Sequence, residues 1–167
     1  MPPHEASMRK TILPEPPAHP GVLPLERWLD IARIASVEVT SENPDFSIEC
    51  ALATETPTGW RAAVPGTQKV RLHLDAPQDL HRIHLNCIGH AEERTQEITI
   101  YAATTMLPLH ELRRLQWIFL GVTAEKIEDF TLHLPAVTTL ELRIDPDHGR
   151  MLEERNIYAS PTGMKLA

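Results

Sequence analysis

Cysteine is almost absent from this chain. Cys50 and Cys87 are the only two in 167 residues, too few for the disulfide framework on which small extracellular scaffolds depend. Both sit among apolar neighbours, where a thiol behaves as a small hydrophobe, and a single bridge between them is the alternative. Aromatic residues make up only 5% of the chain, so each Trp and Phe has to be accounted for individually. No apolar run approaches the roughly 20 residues of a membrane-spanning helix. The N-terminal MPPHEASMRKTILPEPPAHPG contains no apolar stretch of signal-peptide length, so the expected compartment is the cytoplasm. Basic residues are in the minority: 16 Lys and Arg against 23 Asp and Glu give a net charge of −7. The acids are scattered, so the balance favours solubility and excludes a phosphate-backbone footprint. Neither nucleic acid nor a membrane is expected as a partner.

Catalytic signatures are missing as well. There is no phosphate-cradling glycine loop, no nucleophile elbow and no HExxH-type ligand set. The carboxylate pairs Glu92-Glu93, Glu128-Asp129 and Glu153-Glu154 are tied to no nucleophile and read as solvated charges. His81, His84, Cys87 and His90 follow one another at a spacing of three, which first suggests zinc. In a strand, however, an odd spacing puts side chains on opposite faces, so His84 points out while Cys87 points in. One ion cannot collect both. No enzyme activity and no metal cofactor are expected.

What the chain does contain is alternation. Val70, Leu72 and Leu74 alternate with Arg71 and His73; Ile83, Leu85 and Cys87 with His84 and Asn86; Ile98, Ile100 and Ala102 with Thr99 and Tyr101. This period of two marks strands with one face on a core and one in water. Residues 59–104 therefore read as three consecutive strands joined by short turns. EDFTLHLP and TTLELRID add two more, read as hairpin neighbours across Pro135-Ala136-Val137. HELRRLQWIFLGV is apolar on both sides of its alternation, SVEVT (36–40) opens the sheet, and a last strand is expected near Gly163 to Leu166. Trp60 and Trp117 read as core anchors, with stacking on a sugar ring as the alternative. Short strands at this spacing predict an all-β antiparallel sandwich or jelly roll with almost no helix.

At this length the chain forms one domain, since two would each be too small to bury a core unaided. Residues 1–24 hold seven prolines, at positions 2, 3, 14, 16, 17, 20 and 24, and read as an extended Pro-rich arm. The single domain then spans 25–167. LERWLDIARIA (25–35) reads either as a short amphipathic helix or, the reading adopted, as an extended segment covering a sheet edge. Residues 41–59 form a long polar connection with an apolar break from Ile48 to Leu52, a length that signals a functional or wrapping loop.

The order of these pieces carries a resemblance. A TSE strand end, a long polar loop, GWRAAVPGTQ, VRLHL, LHRIHL, ERTQEITIYAA and then QW with ED-F-L-L-P resembles the galactose-binding-domain-like superfamily. Within it, the chain is similar to coagulation-factor type C (discoidin) domains and to bacterial carbohydrate-binding proteins of this pattern, over about residues 36–145. The resemblance implies a non-catalytic module that binds sugars, lipid head groups or protein surfaces through loops at one end of the sandwich. It also implies a structural calcium ion in the loop before the Trp. Here that segment reads ALATETPTG, with Glu55 the nearest carboxylate where an Asp is expected at Ala53 or Thr54, so calcium is disfavoured.

The expected function is therefore binding of a carbohydrate or related small polar ligand at the loop end. Phe46 would be the stacking surface, and Asn43, Asp45, Arg61, His90 and Arg94 the polar contacts. For each of these the bland alternative is a solvated loop residue or, for the two arginines, a donor to loop carbonyls. The competing function is a cytoplasmic protein-interaction module without a sugar ligand, docking through an edge strand or the Pro-rich arm.

Overall fold

The computed structural model describes residues 28–52, 59–89, 94–120, 124–147 and 163–167; the Pro-rich arm lies outside them. A short helix α1 (Ile31–Ile34) leads into β1 (Ala35–Val39), so the segment before the sheet makes a helical turn and only then extends. A second short helix, α2 (Ile48–Leu52), is the apolar break in the long connection. Then follow β2 (Gln68–Gly89), β3 (Arg94–Thr104), β4 (His110–Phe119), β5 (Ala124–Asp145) and β6 (Gly163–Leu166). All pairings are antiparallel, in the order β1-β2-β5-β3-β4 with β6 on the outer side of β2.

Two sequence expectations are corrected. The alternating stretches 70–74 and 83–87 are not separate strands joined by a turn, but halves of one strand of 22 residues. Pro135-Ala136-Val137 does not close a hairpin either, because β5 also runs unbroken for 22 residues. The two strands pair along their whole length and bend together where prolines interrupt both. His73 pairs with Thr139 and Gln78 with Val137, which leaves Leu74 to Pro77 opposite Thr138 alone. Next, Asp79 stands opposite Pro135 and Ala136, and then His81 opposite Leu132 and His133. Proline cannot donate to a ladder, and an unequal residue count bends the longer side. Ala136 takes a left-handed φ of 52°. It is held there by its N–H donating to Asp79 Oδ1 at 2.9 Å and its carbonyl accepting from Thr105 N–H at 3.0 Å.

The bend folds the molecule into two layers. β1, the first half of β2, the second half of β5, β3 and β4 make one layer; the second half of β2, the first half of β5 and β6 make the other. Val70, Leu72, Leu140, Leu142, Ile98 and Ile100 from the first layer bury against Ile83, Leu85, Cys87 and Leu166 from the second. Trp60 is 1% exposed and Trp117 7%, so both are core residues. In β4 the alternation is clean on the buried side, through Leu115, Trp117 and Phe119, while Ile118 and Leu120 face solvent. Arg113 joins β4 to the opposite layer, donating to Glu128 Oε1 at 2.7 Å and lying 4.5 Å from the centre of the Phe130 ring.

Truncating Trp60 to Ala removes the largest fully buried side chain at the head of the sandwich. It is expected to lower the unfolding free energy by about 3–5 kcal/mol. A urea titration followed by circular dichroism measures this, and a variant with the wild-type midpoint would place Trp60 on the surface.

Candidate functional site

The register brings the main connections to one end. β2 begins at Gln68 opposite Ile144, β3 begins at Arg94 opposite Phe119, and Glu97 pairs with Asp145. The second half of β2 returns to this end, since Gln96 Nε2 donates to Cys87 Sγ at 3.7 Å in the buried interior. The start of β2, the end of β2, the start of β3 and the ends of β4 and β5 therefore lie at one end. Burial pushes the Cys87 thiol above its usual range, only partly offset by the charge of Arg94 and the bond from Gln96. It remains a neutral core group.

Within loop 40–67 the chain is clasped by its own backbone. Asn43 N–H donates to the Arg61 carbonyl at 2.8 Å, Arg61 N–H to the Phe46 carbonyl at 3.0 Å, and Phe46 N–H to the Asn43 carbonyl at 2.9 Å. Asn-Pro-Asp-Phe is suited to such a tight turn: proline pre-sets its own φ, and the Asn side chain accepts from the backbone two residues on. Here Asn43 Oδ1 accepts from Asp45 N–H at 3.0 Å. On the other side, Trp60 and Ala62 are each 1% exposed, so the intervening Arg61 is turned outward. Phe46 is left 41% exposed. Deeper in the loop, Thr40 and Ser41 hydroxyls both donate to Gln68 Oε1, at 2.6 and 2.8 Å, and anchor the clasp to the start of β2.

Four of the expected contacts, Asn43, Asp45, Phe46 and Arg61, are thus gathered on one clasped loop. Arg94 shares the end of the sandwich but not this surface. It is 7% exposed, with its guanidinium 5.1 Å from the centre of the Phe119 ring, so it belongs to the layer beneath rather than to a contact face. His90 lies outside the described residues, as does Glu55 with the calcium segment 53–58, and no ligand set is assigned to a calcium ion.

Trp28 lies on the outer face of the second layer. Its ring is 5.1 Å from the Arg82 guanidinium and 6.1 Å from the His84 ring. Beneath it, Arg82 Nε and Nη2 each donate to Asp129 at 2.6 Å, and His84 Nδ1 sits 3.0 Å from Asp129 Oδ2. Nothing in the spacing of Trp28 marks this position, since the partner strands lie more than fifty residues away in sequence. On the other outer face, Glu141 is 0% exposed although it points away from the core. Arg71 Nε donates to it at 2.8 Å and Arg143 Nε at 2.7 Å, while Arg143 lies 3.9 Å from the centre of the Tyr101 ring. Burial works against the Glu141 charge, but the two arginines outweigh it and hold the carboxyl below its usual range. Beside this cluster an open cavity of about 230 Å³ is lined by Glu38, Val39, Thr40, Lys69, Arg71 and Glu141. That is smaller than the roughly 300 Å³ at which pockets begin to enclose a drug-sized ligand.

No protein-family model matches the chain, and no curated protein matches it. Solved structures do. One is the family 32 carbohydrate-binding module of Clostridium perfringens NanJ in complex with galactose, with TM-score 0.61 and 13% identity, covering 83% of this chain and 96% of that one. A second is CpGH89CBM32-5 from Clostridium perfringens in complex with GalNAc-β-1,3-galactose, with TM-score 0.59 and 16% identity, covering 83% and 98%. A third is the family 32 module of AlyQ in complex with 4,5-unsaturated mannuronic acid, with TM-score 0.56 and 14% identity, covering 80% and 95%. At these identities the likeness concerns the fold alone, and the chain shares the antiparallel β-sandwich fold of these structures.

The Arg82–Asp129 pair yields a pH-dependent expectation. Hydrogen bonds from Arg82 above all, and from His84, hold Asp129 below the usual carboxylate range against the opposing effect of burial. A carboxyl with a depressed folded-state pKa stabilises above its unfolded value, about 3.9, and that contribution is lost as pH falls through the folded value. Asp129→Ala should therefore cost about 1.5–3 kcal/mol at pH 7, with the gap to the wild type closing below about pH 4. Denaturant midpoints at pH 7 and pH 3 test this, and an undiminished gap at pH 3 would contradict the ionic account.

Proposed function

We propose that the protein is a non-catalytic carbohydrate-binding module that takes its ligand at the loop end of the sandwich. The observation that carries this reading is the clasp of Asn43, Phe46 and Arg61. It holds an exposed aromatic ring and an outward arginine on adjacent backbone, with the exposed Asp45 next to Phe46 in the turn. A ring covers the apolar face of a sugar, while guanidinium, amide and carboxylate groups match its hydroxyls. The three structural neighbours above, each holding a sugar, support the same reading. No step of it needs a catalytic group.

Asn43, Asp45, Phe46 and Arg61 are the proposed contacts among the described residues, and His90 is kept as a sequence-based candidate. The surface is shallow, so affinity should fall in the millimolar to micromolar range, on the order of −4 to −8 kcal/mol. A net charge of −7 argues against nucleic acid as partner.

A glycan array followed by calorimetry tests the proposal. Phe46→Ala and Arg61→Ala should each weaken the best glycan by about tenfold or more, equivalent to ~1.4 kcal/mol, with the melting temperature near that of the wild type. His73→Ala, on the outer sheet face, should bind as the wild type does. A flat array, or loss of binding only in the His73 variant, would overturn the reading.

A further inference from the structure

Along the chain His81 is followed by His84, Cys87 and His90 at a spacing of three, but its structural neighbour comes from the other strand. At the bend, His81 of β2 stands alone opposite Leu132 and His133 of β5. Leu80, Arg82 and Ile83 around it are all buried, yet His81 itself is exposed. A bulge re-aims a side chain in just this way. His133 is exposed as well, continuing the outward series of Asp129 and Thr131. The two imidazoles come to rest with ring centres 5.6 Å apart and planes inclined by 30°. They are on the outer face of the second layer, at the bend and away from the loop that carries Phe46.

We propose that His81 and His133 form a two-imidazole chelating site for a borderline divalent transition metal, Cu²⁺ in preference to Ni²⁺ or Zn²⁺. Neutral imidazole is the commonest protein ligand for these ions, and affinity rises to copper in this series. Among the described residues, neither ring is engaged in a hydrogen bond or ion pair that would have to break. Carboxylates near the pair are already committed: Asp79 accepts from Ala136 N–H, and Asp129 is held by Arg82 and His84. An ion bonded to one nitrogen of each ring at about 2.0–2.1 Å fits between rings whose centres are 5.6 Å apart. Rotation about χ2, which is broad for His, turns the lone pairs toward each other.

No third His, Cys, Asp or Glu joins them to make a larger metal-binding group among the described residues. The remaining coordination positions would go to water or to a donor from another molecule. The site would therefore be an exchangeable one rather than a structural ion, and it would staple β2 to β5 beside the irregular pairing. Dependence on both rings together is the signature of chelation, because either imidazole alone is an ordinary exposed histidine.

The experiment uses the full chain and Cu²⁺ alone. Calorimetry should show one site that His81→Asn and His133→Asn each weaken by tenfold or more, the double variant losing much less than the product of the two single losses. Electron paramagnetic resonance of the wild-type complex should show two coupled nitrogens, reduced to one or none in the variants, and His73→Asn should change neither readout. Wild-type affinity in either single variant, or losses that add in the double variant, would overturn the proposal. So would a wild-type protein that takes up no Cu²⁺.

Discussion

The joint bend of β2 and β5 is the constraint on which the rest of the structure depends. Each strand crosses from one layer to the other, and the two remain hydrogen-bonded to each other on both sides of the crossing. A flat pair of this length would leave its apolar side chains facing water. Bending lets Val70 and Leu72 at one end of β2 pack across the core from Ile83 and Leu85 at the other. The chemistry of the bend is local: a proline in each strand, unequal residue counts, and an alanine held in the left-handed region by Asp79. Its consequence is global, because chains that turn back on themselves return their ends to the same side. Both ends of β2, the start of β3 and the ends of β4 and β5 gather there for that reason.

Outside the core, the two polar faces are fastened by carboxylates, each gripped by arginine. Glu141 is enclosed by Arg71 and Arg143, and Asp129 by Arg82 with His84. Both lie on the paired halves of β2 and β5, so each grip runs across the strands that define the bend. Charge-assisted, bidentate geometry makes such pairs stronger than ordinary surface ion pairs. Trp28 closes over the Arg82 side. The carboxylates of both clusters are thus already engaged by arginine.

Much of this was legible in the residues. Period-two alternation located the buried faces of β3 and of both halves of β2, and it separated His84 from Cys87 correctly, one outward and one buried. The strand from Gly163 to Leu166 and the interior positions of Trp60 and Trp117 were also readable. What was hidden depended on contacts distant in sequence. Pro135 read as a turn residue because nothing local reveals that it shares a bend with Pro77. Trp28 carried no sign that it would cover Arg82, and His81 none that its neighbour was His133. In the site, Asn43 to Phe46 read only as part of a long polar connection, because their bonding to Arg61 spans the residues of the loop between. Arg94 looked like a surface charge because a guanidinium over a buried ring is a matter of packing.

The central claim is that ligand binding belongs to the loop end and not to the sheet faces. Amide nitrogen–proton NMR spectra recorded while galactose is titrated into the protein test it most directly, because every backbone amide reports its own position. The account expects the largest shifts at Asn43, Phe46 and Arg61, with Arg71, His73 and His84 unmoved. Shifts concentrated on Arg71, His73 or His84, with the Phe46 clasp unchanged, would contradict it.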